Sequence, residues 1–307
     1  MSFVTGTLLL AVVTAMACAL PGVYVVLRRD SMLVDAIAHS VLPGIVVGYF
    51  FTRNLDSPWL ILGAATAGLI VVLGSQWLTD SGLITGDAPQ GLVFPALFSA
   101  GVIMVTLNFA NVHLDTHAVL VGDLNLAAFR HLTVGGTSIG PEYLYVMLTV
   151  LLINVAFLWA FHRQLTVTTF DGPFAASIGI PVKSVNAAFM FLVSVTVTAA
   201  FNAAGAILVI ALVVVPAATA HLLTKTLASL FAVTAAVAVG GAVAGFWGAY
   251  ALDAATSAAM SVCYGAIFIA AHLFTRWRVR RSQRSHRARS AEAPESPELT
   301  ESLSRAA

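Results

Sequence analysis

The chain has 307 residues, of which 59% are hydrophobic and only 9% are charged, and its mean hydropathy is +0.92. Soluble domains carry about 25% charged residues, so this composition excludes a soluble globular protein and predicts a polytopic membrane protein. The net charge of +1 gives no indication of nucleic-acid binding. The two cysteines, Cys18 and Cys263, lie in apolar runs, which is typical of small buried hydrophobic residues rather than of a disulfide or a metal pair.

Apolar runs long enough to cross a membrane recur along the chain, since a transmembrane helix needs roughly 20 mostly apolar residues. The run 184–224 contains no Asp, Glu, Lys or Arg and has room for two short spans that meet near Asn202 to Gly205. The predicted fold is therefore all-α, with about nine transmembrane helices, or eight if this run crosses once. The predicted spans are about 4–27, 31–51, 57–78, 91–112, 143–161, two within 184–224, 227–250 and 254–274.

The second predicted span contains two ionisable residues, Asp35 and His39. At positions i and i+4 of a helix their side chains project from the same face, and a carboxylate with an imidazole can bind a divalent metal ion. Ionisable groups in hydrocarbon are costly and usually face a bundle interior or a polar path. The alternative is a buried Asp–His hydrogen bond that only packs two helices. Pro43 removes a backbone hydrogen bond and predicts a kink near His39.

The segment 113–142 is too polar and too rich in glycine for a clean span. It predicts a broken helix or a re-entrant piece buried in protein. His113, Asp115 and His117 would line one face of an extended strand. They form a candidate relay for metal on the outer side of the membrane, and the simpler alternative is a solvated loop with incidental polar residues.

The segment 169–182 predicts a short helix between two spans. Asp171 can cap its N-terminus, Ser177 lies within it, and Gly179 suits its C-terminal end. Pro181 then blocks continuation, and Phe170 offers an aromatic anchor beside the helix. The residues alone favour an ordinary connecting helix that lies on the membrane surface.

The C-terminal tail, 276–307, has a different composition from the transmembrane domain predicted over 1–275. Arginine alternates with serine at its start, and Ala, Glu and Pro follow. Such a sequence predicts a solvated, disordered segment, whose first basic cluster can contact anionic lipid.

Orientation follows from the distribution of positive charge. With nine spans the termini lie on opposite sides, and a cytoplasmic C-terminus places thirteen of the fifteen Lys and Arg residues inside. Only Arg53 and Arg130 then lie outside, so the positive-inside rule favours this assignment. The inside set comprises Arg28, Arg29, Arg163, Lys183, Lys225 and the eight arginines of the tail.

Two enzyme signatures are absent from the sequence. A phosphate-binding loop requires a Gly-Lys pair, and the only lysines, Lys183 and Lys225, do not follow a glycine. The chain is therefore not expected to hydrolyse ATP. The His-Glu-x-x-His pattern of metalloproteases is also absent, which disfavours a membrane protease.

Four segments in order resemble a known family. They are LRRDSMLVDAIAHSVLPGIVVG from Leu27, LVGDLN from Leu120, TFDGPFAASIGIPV from Thr169 and GAILVIALVVVPAATAHLL from Gly205. The chain is similar, nearly throughout except for the tail, to the integral-membrane permeases of bacterial manganese, zinc and iron ABC importers.

This resemblance implies a bacterial inner-membrane permease that is itself not an enzyme. Asp35 and His39 would form the metal site of the transport path, completed by a second permease copy. The segment from Phe170 to Pro181 would be the cytoplasmic coupling helix that sits in a groove of a separate ATPase. An extracellular metal-binding protein would deliver the ion, which is cargo, and no permanently bound cofactor is expected.

Two other functions are compatible with the same polar pair. In a gradient-driven secondary transporter, Asp35 and His39 would relay protons, but such a carrier would not need the segment 170–182. A membrane enzyme would need an open metal position with an acid or base beside it, and only Asp35 is well placed for that role.

Overall fold

The computed structural model describes residues 3–53, 59–84, 86–108, 124–134 and 137–292. Eight of its helices are long and apolar enough to cross a membrane, which confirms the all-α membrane fold. In chain order, the described elements are α1 (Phe3–Arg28), α2 (Ser31–Thr52), α3 (Trp59–Asp80), α4 (Ala88–Asn108), α5 (Leu124–Phe129), β1 (His131–Val134), β2 (Thr137–Pro141), α6 (Glu142–Ala160), α7 (His162–Phe170), α8 (Gly172–Ser177), α9 (Val182–Leu223), α10 (Leu227–Leu252) and α11 (Thr256–Glu292).

The 42-residue helix α9 is two antiparallel spans joined at Gly205. Gly205 has φ 76° and ψ 165°, a conformation that is essentially restricted to glycine. Asn186 accepts a hydrogen bond from Arg28, while Gly22, six residues earlier on α1, contacts the carbonyl of Val213. A straight helix would separate positions 186 and 213 by about 40 Å, so the chain must reverse. The residues described here therefore form nine membrane crossings, as the run 184–224 predicted.

Helix α1 lies at the centre of the bundle and packs against α6, α9 and α10. Its middle is pinned by a buried polar network, in which the Asn154 side chain donates to the Ala17 carbonyl at 2.9 Å and to Thr196 Oγ1 at 2.9 Å. Thr196 returns a hydrogen bond to Asn154 Oδ1 at 3.1 Å. The fully buried carboxamide thus has both donor and acceptor contacts, and three helices are held in register.

One end of the bundle collects the charges that the sequence assigned to the inside. Tyr24, near the end of α1, lies 3.2 Å from His162 Nδ1, which adjoins Arg163. Lys183 Nζ pairs with Asp80 Oδ2 at 3.3 Å, so the end of α3 and the start of α9 lie at this same end.

The opposite end contains the beginning of α1. The rings of Phe3 and Phe129 are 4.7 Å apart, and Asn125 donates to Thr256 Oγ1 at 2.9 Å. Arg130 lies at this end because it follows Phe129. Arg53 lies there too, because it caps the C-terminus of α2, whose N-terminus is beside Arg28. The two groups of positive charge therefore lie at opposite ends of the bundle, and the assignment of one end to the cytoplasm stays a prediction.

The polar segment 113–142 forms more than the broken helix that its composition predicted. Its described part consists of α5 followed by an antiparallel hairpin of β1 and β2, with a register shift between Leu132 and Thr133. Valine, isoleucine and threonine recur in these two strands, and β-branched residues favour extended backbone. The prediction was therefore wrong for 131–141, which pair as strands.

The last helix continues to Glu292, beyond the boundary at about 275 that hydropathy predicts. Arginine, glutamine, alanine and glutamate all have high helix propensity, so a basic sequence after a span can extend its helix. The division into a domain at 1–275 and a separate tail at 276–307 stays a prediction, and residues 293–307 lie outside the described ranges.

Candidate functional site

Asp35 and His39 lie one turn apart on α2, as their spacing predicts. His39 Nε2 is 3.5 Å from Asp35 Oδ1, and the two side chains are 37% and 39% exposed. Both residues belong to one helix, and more than a third of each side chain is exposed. The pair therefore does not act as a buried hydrogen bond that holds two helices together, which disfavours the packing alternative.

The pair lies on the accessible face of α2. Met32, one turn earlier, is 54% exposed, and Leu42 continues the same stripe as a partly exposed residue. The opposite face is buried, with Ile37 and Val41 fully inaccessible. Asp35 and His39 thus project away from the bundle's own core, towards whatever lies beside this face.

Helix α4 provides one wall of the pair. The His39 imidazole stacks on the ring of Phe94, with 5.5 Å between centroids and 22° between planes. One turn after His39 on α2, Pro43 packs against Gly101 of α4. A Cβ at Gly101 would lie only 2.6 Å from Pro43 Cβ. The small residue therefore lets α4 approach α2 and brings Phe94 against the imidazole.

Helix α3 fixes the other side of α2. A Cβ on Gly44 would lie 2.3 Å from the Ala64 Cα, so only glycine allows this approach. The helix remains continuous from Ser31 to Thr52 through Pro43. The Pro-Gly dipeptide thus places α2 between α3 and α4 without interrupting the helix beside His39.

The donor set among the described residues is incomplete for tight metal binding. Across these ranges, no group of three or more His, Cys, Asp or Glu residues is close enough to hold a metal ion. Structural metal sites normally have four ligands, so Asp35 and His39 need further donors from beyond the described residues. The candidate relay residues His113, Asp115 and His117 lie outside the described residues.

A second ionisable group lies in the turn between α1 and α2. Burial raises the pKa of the Asp30 carboxyl from 3.8 to about 6, the positive charge of Arg28 lowers it, and the negative charge of Asp87 raises it. No local sequence pattern indicates this raised pKa, because its cause is the packing around the turn.

The predicted short helix forms as α8, and its caps are as the sequence indicated. Asp171 Oδ1 accepts a hydrogen bond from the Phe174 backbone N–H at 2.9 Å, Gly179 adopts φ 83°, and α9 begins directly after Pro181. Ser177 donates to the Phe174 carbonyl within the helix, so its hydroxyl stabilises the last turn.

Two exposed apolar residues beside this helix were missed by the sequence reasoning. Phe174 is 53% exposed and Ile178 is 54% exposed, and with Phe170 at 67% they recur every four residues. The signal was present in the sequence as apolar residues at i, i+4 and i+8 of a segment predicted to lie outside the membrane. Exposed apolar surface of this kind marks an interaction site.

Comparison with known proteins gives a consistent result. A family model described as the ABC 3 transport family matches residues 1–275. The chain is 36% identical over 275 residues to the manganese transport system membrane protein MntD of Bacillus subtilis, covering 90% of this chain and 93% of that protein. It is 41% identical over 267 residues to the zinc transport system membrane protein TroD of Treponema pallidum, covering 87% of this chain and 72% of that protein.

A solved structure shares the fold. PsaBC from Streptococcus pneumoniae in complex with Fab matches with a TM-score of 0.72 at 22% identity, over 88% of this chain and 91% of that chain. At this identity the likeness shows a shared fold.

Proposed function

This chain belongs to the ABC 3 transport family, and we propose that it is the membrane-spanning permease subunit of an importer of divalent transition metal ions. The observation that supports this function is the accessible Asp35–His39 pair inside a transmembrane helix. Such groups are costly in hydrocarbon and are retained where an ion path needs them. The names of the relatives, which refer to manganese and zinc transport, agree with this chemistry.

Family membership favours this function over the gradient-driven alternative. The capped helix α8, with its exposed apolar residues, has a use in a transporter driven by a partner protein and none in a carrier that works alone. Family membership also disfavours a membrane enzyme, because the related proteins are transport proteins.

ATP hydrolysis is assigned to a separate cytoplasmic subunit, since this sequence lacks the Gly-Lys pair of a phosphate-binding loop. We place its docking surface on α8 and the residues around it. Phe170, Phe174 and Ile178 are exposed apolar residues within this segment that a groove of the ATPase would cover, and the Asp171 cap fixes the helix that carries Phe174. This end of the bundle would then be cytoplasmic, as would the C-terminus.

The metal path is assigned to the accessible face of α2. Two donors from this chain and two from a second permease copy would give four ligands, which suits a gate that binds an ion and then releases it. The second copy would be this same chain or a homologous permease. An extracellular metal-binding protein would deliver the ion at the end of the bundle that contains Arg53 and Arg130.

The chemistry of the donors defines the cargo as a class. Carboxylate oxygen suits manganese, whereas imidazole suits zinc and iron. One donor of each kind is compatible with all three ions, so manganese, zinc and ferrous iron are the candidate substrates.

Uptake of radiolabelled manganese, zinc and ferrous iron tests this function, in cells that express the permease with its cognate ATPase and binding protein. Asp35→Asn and His39→Ala are expected to reduce uptake of one metal at least tenfold at equal membrane expression. His272→Ala is the matched control, since His272 stacks on Phe268 within another span with 19° between planes. Asp253→Asn, in an exposed turn, is the control for the carboxylate.

Each outcome has a defined meaning. Collapse of one metal's uptake in both site variants, with normal uptake in both controls, supports the assigned path. Persistent uptake of all three metals would move the path away from Asp35 and His39. A wild-type importer that moves none of the three would contradict the proposed function itself.

The docking surface is tested separately by co-purification of the ATPase in detergent. Phe174→Ala should reduce the amount recovered with the permease severalfold, because it removes the exposed ring carried by α8. Phe51→Ala is the control, since Phe51 is 80% exposed at the opposite end of α2. Equal recovery with both variants would place the ATPase elsewhere.

A further inference from the structure

Arg28, the last residue of α1, uses all three nitrogens of its guanidinium in hydrogen bonds. Nε donates to Thr169 Oγ1 at 2.9 Å, Nη1 donates to Asn186 Oδ1 at 2.8 Å, and Nη2 donates to Thr168 Oγ1 at 3.1 Å. The guanidinium carbon also lies 4.8 Å from the centroid of the Phe189 ring. A planar group with several fixed donors and an aromatic contact has a defined position, which a flexible ammonium would not have.

The partners of Arg28 flank the short helix α8 on both sides. Thr168 and Thr169 occupy the last turn of α7, directly before Asp171, and Asn186 lies near the start of α9, directly after the Gly179-to-Pro181 turn. One side chain therefore holds both ends of the segment that carries α8.

The contact between α1 and α7 extends one turn further. Tyr24, four residues before Arg28, places its hydroxyl 3.0 Å from Thr166 Oγ1 and 3.2 Å from His162 Nδ1. His162, Thr166 and Thr169 lie on one face of α7. The end of α1 and the helix α7 are thus joined along two turns and would move together.

Arg28 is also joined directly to the helix that carries the polar pair. Only Arg29, at φ 64°, and Asp30 separate α1 from α2. The Asp30 N–H donates to the Val25 carbonyl at 3.0 Å, and the Leu33 N–H donates to the Asp30 carbonyl at 3.0 Å. This turn is short and hydrogen-bonded at both sides, so a displacement of Arg28 reaches the start of α2.

The other contact beside α8 is weaker. Lys183 and Asp80 pair at 3.3 Å, but their side chains are 93% and 66% exposed. Exposed ion pairs of this kind contribute little. A substitution of Lys183 therefore serves as a control, because it removes a positive charge from the same region without removing a strong contact between helices.

We infer that Arg28 is a positioning residue that carries movement of α8 into α2 and so into the Asp35–His39 pair. This inference rests on the proposed function, and it assigns to Arg28 a coupling role in addition to its contribution to the bundle. Loss of the guanidinium would leave ATP hydrolysis running while metal transport falls.

The test uses the complete importer, reconstituted in liposomes with its ATPase and binding protein, and measures ATP hydrolysis and metal uptake in the same preparation. Arg28→Lys is expected to keep hydrolysis within about twofold of wild type and to reduce the ratio of metal ions moved to ATP hydrolysed at least tenfold. Lys183→Ala is expected to keep the wild-type ratio.

A second pair of variants guards against simple misfolding. Thr169→Ser keeps the hydroxyl that accepts from Arg28 Nε and should keep the wild-type ratio, whereas Thr169→Val removes the acceptor and should lower the ratio severalfold. Equal ratios in all four variants would overturn the inference. So would a parallel fall of hydrolysis and uptake in Arg28→Lys and Thr169→Val, which indicates a structural role only. If wild-type liposomes take up no metal, the proposed function fails first, and that outcome is distinct from these.

Discussion

Arg28 and the Asp35–His39 pair are close in the chain but differ in how their polar atoms are used. Arg28 has three hydrogen-bond acceptors from two other helices and an aromatic ring beneath it. His39 Nε2 and Asp35 Oδ1 are 3.5 Å apart, and more than a third of each side chain is exposed. The polar atoms of Arg28 are therefore hydrogen-bonded to other helices, whereas among the described residues Asp35 and His39 have only each other as polar partners.

This difference separates a structural contact from a binding site. A buried charge without partners is costly, so a satisfied guanidinium stabilises the arrangement that surrounds it. An accessible carboxylate and imidazole with free coordination capacity gain little for the isolated chain, and their value lies in a partner or an ion. We therefore expect substitutions of Arg28 to lower both stability and transport, and substitutions of Asp35 or His39 to lower transport with little effect on stability.

The largest effect on stability is expected for Arg28→Ala. It removes three charge-assisted hydrogen bonds and leaves their acceptors without the donor, which should lower the free energy of unfolding by about 3 kcal/mol. His39→Ala should change it by less than about 1 kcal/mol, since the imidazole is partly exposed. Thermal unfolding of the detergent-solubilised permease measures both. A larger loss for His39→Ala than for Arg28→Ala would contradict the comparison.

A smaller loss of stability is expected for Gly101→Ala, which disturbs the packing of α4 against α2 beside the Asp35–His39 pair. The added methyl group would lie 2.6 Å from Pro43 Cβ, and overpacking of this kind costs about 1–3 kcal/mol. Gly91→Ala on the same helix is the control, because nothing lies within 4 Å of its Cβ position. Because alanine has a higher helix propensity than glycine, Gly91→Ala should leave the free energy of unfolding unchanged or raise it by up to about 1 kcal/mol. The same unfolding assay compares the two, and equal effects would mean that α4 does not pack as described.

Asp30 lies between Arg28 and Asp35 in the chain, and its raised pKa predicts that stability depends on pH. Its pKa is raised from 3.8 to about 6, so the folded protein holds this proton at pH values where the unfolded chain has lost it. The contribution of Asp30 to stability therefore falls as pH rises from about 4 to about 6, and the full penalty of the buried carboxylate is present above that range.

Asp30→Asn should remove this dependence. The variant should be more stable than wild type at pH 7, by on the order of 1 kcal/mol, and the difference should disappear towards pH 4. Unfolding temperatures from pH 4 to pH 7.5 measure it, with Asp253→Asn as the control at an exposed carboxyl. A constant difference between wild type and Asp30→Asn at every pH would show that the Asp30 charge is not the cause.

The smallest effect is expected for Phe94→Leu. Leucine keeps the apolar wall but removes the ring that stacks on His39, and aromatic contacts of this kind contribute about 0.5–1.5 kcal/mol. Stability should fall towards the lower end of this range, and the metal concentration for half-maximal uptake should change by less than about threefold. A loss of uptake as large as in His39→Ala would show that the ring fixes the imidazole in its binding orientation.

Local features of the fold followed well from the sequence. The length of the uncharged 184–224 run indicated two spans that meet near Asn202 to Gly205, and the structure places the reversal at Gly205. Asp171, Gly179 and Pro181 indicated the limits of a short helix, and the observed cap of α8 agrees. These succeeded because caps, left-handed glycines and span lengths depend on residues that are neighbours in the chain.

Features that depend on distant residues did not follow. Arg28 looked like one more interfacial charge beside Arg29, and no local signal shows that its partners are Thr168, Thr169 and Asn186, some 140 to 158 residues away. The strands at 131–141 were also missed, because a short polar segment can form a hairpin or a broken helix with similar local patterns.

The sequence by itself determined that this protein is a membrane bundle, where its spans lie, and that Asp35 and His39 share a helix face. Hydropathy and helical periodicity fix these properties, because both act over a few turns of chain. Only the tertiary structure decided that this face is accessible, that Arg28 is hydrogen-bonded to two other helices, and that Asp30 is partly buried in the turn between α1 and α2. Burial and hydrogen bonding across helices depend on which spans pack together, and close approaches at Gly22, Gly44 and Gly101 set that packing in three dimensions.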